Sequence, residues 1–142
     1  MRIQDVLRHK GSAVATVPPE TSVLELLAAL SQHGVGALVV SADGRQVDGI
    51  VSERDVVRRL HDSGADLLSR PVSSIMTESV HTCVPEDLID DLMRAMTERR
   101  IRHIPVVVDG TLRGIVSIGD IVKFRIDELE TERRQLENYI SG

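Results

Sequence analysis

Aromatic side chains are almost missing from this chain of 142 residues, which has no Trp, one Tyr and one Phe. Stacking platforms for single-stranded nucleic acid are therefore not available. Basic charge is also in deficit: the formal net charge of −5 argues against a phosphate backbone as the main partner, so no nucleic-acid role is expected. No apolar run approaches the roughly 18 to 20 residues that span a bilayer, and Met1-Arg2-Ile3-Gln4 does not open a signal peptide. The expectation is a cytoplasmic protein with no membrane partner. The lone Cys83 cannot form an internal disulfide, which fits a reducing compartment. His81, Cys83 and His103 lack metal-site spacing, so no metal is expected. Ser117, His103 and Asp120 come without a nucleophile elbow, and neither a Walker A loop nor G-x-G-x-x-G occurs, so the chain does not read as an enzyme.

What the chain does have is a phrase written twice. Gly49-Ile50-Val51-Ser52-Glu53-Arg54-Asp55 and Gly114-Ile115-Val116-Ser117-Ile118-Gly119-Asp120 share G-I-V-S-x-x-D. The register extends outward: Val14, Thr16, Pro19, Glu20, Leu26, Val35 and Val40 align at constant offset with Val80, Thr82, Pro85, Glu86, Leu92, Ile101 and Val106. One residue is dropped before the phrase, and Asp55-Val56-Val57 then matches Asp120-Ile121-Val122. Each copy is about 50 residues, small for an independent core, although 42% of the chain is hydrophobic. The two halves are expected to bury their apolar faces against each other.

Local signals give each copy the same elements. Ser22-Val23-Leu24-Glu25 has a capping-box pattern, and Leu26, Leu27 and Leu30 recur at helical spacing up to Gly34, predicting a helix over 22–33. Strands over 35–40 and 47–51 flank turn chemistry at Ala42-Asp43-Gly44-Arg45, and a helix opens at Ser52 and ends near Gly64. Copy two predicts a helix over 87–98, strands near 101–108 and 112–116 around Asp109-Gly110, and a helix from Ile118 onward. Short strands at Ala15-Thr16-Val17 and Thr82-Cys83-Val84 complete β-α-β-β-α in each copy. Two similar lead-ins, Ile3-Gln4-Asp5-Val6-Leu7 and Val72-Ser73-Ser74-Ile75-Met76, precede them. The segmentation is repeat one with its lead-in over 1–64, linker and repeat two over 65–125, and a helical extension over 126–142. In the last helix Val122, Ile126, Leu129, Arg133, Leu136 and Ile140 alternate steps of four and three, the narrow seam of a coiled coil.

These motifs, together with Ile101-Arg102-His103-Ile104-Pro105-Val106-Val107 and Ser74-Ile75-Met76-Thr77, resemble a tandem pair of cystathionine β-synthase (CBS) domains over residues 1 to about 125. The resemblance implies an α+β fold of two β-α-β-β-α repeats related by a pseudo-twofold axis. It further implies two clefts between the halves that hold adenosine-containing ligands, pairing of modules into homodimers, and sensing in place of catalysis.

The repeated Ser-x-x-Asp has chemistry suited to that role. A hydroxyl that donates and accepts, followed one turn later by an acceptor-only carboxylate, matches a ribose diol, and the helix N-terminus favours phosphate. The same spacing is also a plain helix cap. The resemblance tips Ser52, Asp55, Ser117 and Asp120 toward ribose. It places adenine against Val35-Gly36-Ala37-Leu38 in one cleft and Ile101-Arg102-His103-Ile104-Pro105 in the other, with main-chain bonds at Thr16-Val17 and Thr82-Cys83-Val84. Pro105, lacking a donor, marks a sheet edge or irregularity.

Candidate cations for phosphate are Arg54, Arg102, His103 and Lys123, while Arg99, Arg100, Arg113 and Arg125 read as solvated faces. Gly36-Ala37 against Arg102-His103, and Glu53-Arg54 against Ile118-Gly119, make the two clefts unequal. The functional expectation is a regulatory module binding an AMP-, ADP-, ATP- or NAD(H)-type ligand and acting through a partner protein. The competing expectation is a ligand-free dimerisation scaffold using the C-terminal helix.

Overall fold

The computed structural model describes residues 1–11 and 13–141; Ser12 and Gly142, the latter closing the expected C-terminal extension, lie outside them. A helix, α1 (Ile3–Lys10), precedes β1 (Thr16–Val17), α2 (Val23–His33), β2 (Ala37–Val40), β3 (Gly49–Ser52) and α3 (Glu53–Ser63). Two 3-10 segments (Gly64–Ser69 and Val72–Ser74) then lead to α4 (Ile89–Arg99), β4 (His103–Val108), β5 (Thr111–Ser117) and α5 (Ile118–Ser141). The architecture is the expected α+β arrangement of two repeats with a long terminal helix.

Helix boundaries fall where the caps are. Ser22 Oγ accepts from the Glu25 amide at 3.1 Å, and Gly34 closes α2 in the left-handed conformation at φ 64°. The Gly34 position corresponds to Arg100 in the second copy, and Arg100 holds the same conformation at φ 54° without a glycine's freedom. These caps delay strand entry, so β2 begins at Ala37 and β4 at His103, two residues later than expected in each copy.

The first sheet has order β1-β2-β3, with β1 parallel to β2 (Thr16 opposite Val39) and β2 antiparallel to β3 (Ala37 opposite Ser52). The second contains β4 and β5 alone, closed by a tight turn with Asp109 at φ 51° and Gly110 at φ 77°. The strand expected at Thr82-Cys83-Val84 is reduced to one bridging residue, Cys83, which donates to Pro105 O (3.0 Å) and accepts from the Val107 amide (2.9 Å). Parallel pairing of Thr16 with Val39 uses the Val39 amide as donor. Pro105 stands at the Val39 position and has no N–H to give, so the second rung of that ladder cannot form.

Each repeat has its own core, and the lead-ins are exchanged between them. Val17, Val23, Leu26, Leu30, Leu38, Val40, Val51 and Val56 pack with Leu67, Val72 and Ile75, which come from the linker ahead of the second copy. Ile3 and Val6, from the segment ahead of the first copy, complete the core of the second with Ile89, Leu92, Met96, Ile104, Val106, Val116 and Ile121. Backbone pairing repeats the exchange, Arg2 bridging Leu88 and Pro71 bridging Ser22. Ile3 and Val6 are 0% and 1% exposed, so at roughly 1.5–3 kcal/mol per buried aliphatic side chain α1 is held as firmly as any core helix.

With its exchanged lead-in each repeat closes a core of its own. The far face of β2 is covered as well, with Ala37 and Val39 buried outside either core. Across the halves, the Leu112 amide donates to Arg45 O at 2.7 Å.

The glycine of the repeated phrase has a packing cause. A Cβ on Gly49 would lie 2.6 Å from Met76 Sδ and 2.9 Å from Thr77 O, and one on Gly114 would lie 2.9 Å from Leu7 Cδ2. The exchanged lead-ins thus run directly over the strands that end in Ser-x-x-Asp.

Candidate functional site

β3 delivers Ser52 to the N-terminus of α3, where the capping box forms: Ser52 Oγ accepts from the Asp55 amide (3.3 Å) and Asp55 Oδ2 accepts from the Ser52 amide (2.8 Å). Ser52 Oγ also donates to Oδ2 at 3.0 Å. All of this falls on one carboxylate oxygen, and Asp55 Oδ1 takes no partner among the described residues. Cap and site are therefore compatible readings of the same motif.

A cavity of about 260 Å³ opens beside this pair, lined from the first repeat by Gly36, Ala37, Ile50, Ser52, Glu53, Arg54, Asp55 and Arg58. Thr77 of the lead-in and Arg100, Ile101, Arg102 and His103 of the second repeat close it, so both halves build the walls. Four arginines face two carboxylates, a positive hollow in a chain of net charge −5. Such a site favours an anion carried on a group with apolar surface, since Ala37, Ile50 and Ile101 supply the uncharged wall.

His103 lines the cavity, and its Cε1 lies 3.8 Å from where a Cβ on Gly36 would stand. Burial first, then the nearby Lys10 ammonium, hold its pKa below the usual histidine value of 6.5 against the opposing pull of Asp120. The ring is neutral near pH 7 and can accept or donate a hydrogen bond.

Of the residues singled out from sequence, the cavity gathers Gly36, Ala37, Ser52, Arg54, Asp55, Ile101, Arg102 and His103. Val35 lines the adjoining open hollow with Leu27, Leu30, Gly36 and Glu53. Val17 and Ile104 put their side chains into the two cores. Pro105 is buried, while Thr82 and Val84 are exposed. Thr16 is half-buried in β1. The main-chain groups offered to an adenine are partly committed: Val17 O accepts from the Ser41 amide, Cys83 spends both its groups on β4, and the Val84 amide donates to Asp87. The buried Cys83 thiol is pushed up to about 12, chiefly by burial and then by Asp87. Ser117 and Asp120 lie outside the cavity.

Residues that sequence reading passed over are Ile50, Glu53, Arg58, Thr77 and Arg100. Arg58 carried a signal, since it follows Arg54 by one helical turn and so shares its face. Arg100, read as a solvated helix-end charge, is aimed at the cavity by its left-handed backbone.

The second Ser-x-x-Asp is capped in the same way, with the Ser117 amide donating to Asp120 Oδ2 (2.9 Å) and the Asp120 amide to Ser117 Oγ (3.1 Å). Here a third group intervenes, because Lys10 Nζ at the end of α1 donates to Asp120 Oδ2 at 2.7 Å and to Ile115 O at 2.7 Å. Burial raises the Asp120 pKa, but the bonds from Lys10 and Ser117 outweigh it and the carboxyl is held below its usual value.

Two β/α repeats with exchanged lead-ins and a cavity at one Ser-x-x-Asp define a tandem-repeat module. The family model described as CBS domain matches residues 3–62 and again 72–127, and the chain belongs to the CBS domain family. It is 38% identical to the mitochondrial CBS domain-containing protein CBSX3 of Arabidopsis thaliana, over 99% of this chain and 72% of that protein. Among solved structures, a CBS-domain containing protein from Agrobacterium tumefaciens superposes with a TM-score of 0.85 at 44% identity, covering 88% of this chain and 99% of the other. The CBS domain pair of protein MJ0100, solved with 5'-methylthioadenosine and S-adenosyl-L-methionine, shares the fold at a TM-score of 0.78 and 23% identity, covering 87% and 98%. Among the described residues no helix is long and apolar enough to cross a membrane.

Proposed function

We propose that this CBS pair is a regulatory module that binds an adenosine nucleotide, of AMP, ADP, ATP or NAD(H) type, in the cleft at Asp55. The observation that carries the reading is the cavity built by both halves, with the Ser52–Asp55 pair on one side and Arg54, Arg58, Arg100 and Arg102 on the other. In this reading Asp55 Oδ1 accepts from a ribose hydroxyl, the base lies on Ala37, Ile50 and Ile101, and the arginines take phosphate. The adenosine ligands of the MJ0100 pair are consistent with it. Ligand spanning both halves would bias their relative position by its differential affinity for the two arrangements, and the output would pass to a partner protein. The same reading takes the module to be a non-catalytic homodimer, formed through Val57 and Leu60 of α3 and Val122 and Ile126 of α5, all exposed.

One observation favours a second reading, a dimerisation scaffold that binds no ligand. Beyond the body, α5 carries Leu129, Leu136 and Ile140 at 61%, 62% and 81% exposure along its seam. A helix segment this exposed gains little from packing within its own chain.

Thermal-shift screening with AMP, ADP, ATP, NAD and S-adenosylmethionine separates the two. A ligand at 100 times its Kd raises stability by about 2.7 kcal/mol, several degrees in midpoint. The Asp55→Asn variant, which keeps an amide oxygen for the cap, should abolish that shift. Unchanged midpoints with every compound would favour the scaffold.

A further inference from the structure

The two clefts differ most in what the exchanged lead-in does at the end of the strand. At the first, the lead-in backbone pairs with β3: the Thr77 amide donates to Ile50 O at 2.9 Å and accepts from the Ile50 amide at 3.0 Å. At the second, the lead-in is helical as far as Lys10, and the equivalent carbonyl, Ile115 O, receives the Lys10 ammonium. The same ammonium bonds Asp120 Oδ2, and beside it His9 Nε2 lies 3.1 Å from Asp127 Oδ2 with its ring edge-on to Phe124 at 6.1 Å. The end of α1 is thus fastened to the first turns of α5, over the Ser117–Asp120 pair.

We propose that Lys10 is a built-in latch on the second cleft, occupying the carboxylate that would hold a ribose, so that each chain takes one nucleotide until the latch opens. This inference rests on the reading of Asp55 as a ribose anchor. The competition is set by charge: Lys10 brings Asp120 a full opposite charge as well as a hydrogen bond, whereas a diol brings hydroxyl donors only, so a diol alone is the weaker partner. The latch is nevertheless openable. The Lys10 and Asp120 side chains are 31% and 24% exposed, and pairs with that much solvent access contribute little to stability. A ligand phosphate competes for the ammonium, so an anionic nucleotide enters the second cleft of the wild type only as a weaker equivalent, well above the concentration that fills the Asp55 cleft. Leu7 over Gly114 is no obstacle, because Met76 covers Gly49 in the same way beside the open cavity.

The test is calorimetric titration of the full chain with whichever of AMP, ADP, ATP, NAD and S-adenosylmethionine gives the largest thermal shift. Wild type should bind one equivalent and Lys10→Met two, with Lys10→Gln as a second variant should Lys10→Met fold poorly. In the Asp55→Asn background binding should be lost, regained as one equivalent on adding Lys10→Met, and lost again on adding Asp120→Asn. Two equivalents of like affinity in wild type, or one in wild type and still one in both Lys10 variants, would overturn the latch while leaving the Asp55 site intact. No binding by any variant would instead sink the Asp55 reading from which the latch derives.

Discussion

The two repeats of this protein share a template and diverge at its working edge. Where the first has Gly34, Gly36 and Ala37, the second has Arg100, Arg102 and His103; where the first has Glu53-Arg54, the second has Ile118-Gly119. Because the cavity at Asp55 is walled by both halves, Arg100 and Arg102 of the second repeat stand beside the Ser-x-x-Asp of the first. A pseudo-symmetric scaffold thereby concentrates cations on one side, and the opposite side is filled by Lys10 of the chain itself. Duplication supplied two equivalent frames, and substitution at a handful of edge positions made one of them a cavity.

The comparison is broken most sharply at the two glycines. Gly49→Ala places a methyl against Met76 Sδ and the fixed Thr77 carbonyl, whereas Gly114→Ala meets only the rotatable end of Leu7. The expected losses are about 1–3 kcal/mol for the first and less than ~1 kcal/mol for the second, read from urea unfolding midpoints. Equal losses would mean that the lead-ins grip their strands alike.

A smaller effect of opposite sign is expected at Arg100. Left-handed backbone costs a residue bearing a Cβ roughly 1–2 kcal/mol, so Arg100→Gly, restoring the residue of the first repeat, should raise stability by about 1 kcal/mol and the thermal midpoint by a few degrees. It should also weaken binding of the nucleotide found in the thermal-shift screen, in proportion to that ligand's phosphate charge. Stabilisation without loss of affinity would leave Arg100 a strained bystander.

The smallest effect is the pH dependence from His103. Its folded pKa lies below the unfolded value near 6.5, so the unfolded chain binds the proton more readily and folding favours the neutral ring. Its contribution to stability is present above about pH 6.5 and is lost as pH falls through that value toward the folded pKa. Thermal midpoints between pH 7.5 and pH 5 should decline, and His103→Gln should flatten the decline. An identical slope in the variant would place the titration elsewhere.

Much of this molecule is readable from local sequence because its punctuation is local. Ser22, Ser52 and Gly34 cap helices through bonds three or four residues away, and Asp109-Gly110 makes its own turn. The Ser52–Asp55 pair and six neighbours on the cavity were legible from the repeat and the family resemblance together. What escaped depends on distant pairing. The exchange of lead-ins joins Arg2 to Leu88 and Ile3 to the β4–β5 core, separations no periodicity reports. Lys10 reads as an ordinary basic end to a helix until Asp120, 110 residues on, is seen against it. The loss of a strand at Thr82–Val84 required knowing which edge of β4 Pro105 would face.

The exchanged lead-ins also impose an order of events on the newly made chain. The first core can close once residues through Ile75 have emerged, since all its members lie between Val17 and that point. Helix α1 cannot do the same: Ile3 and Val6 must wait for Ile104, Val116 and Ile121, far later in the chain. Contacts of such sequence separation form late, so during synthesis α1 is an exposed amphipathic segment while the repeat beside it in sequence is already folded. The residues of α1 are therefore made before either repeat and are among the last to reach their place, where they finish the core of the second repeat.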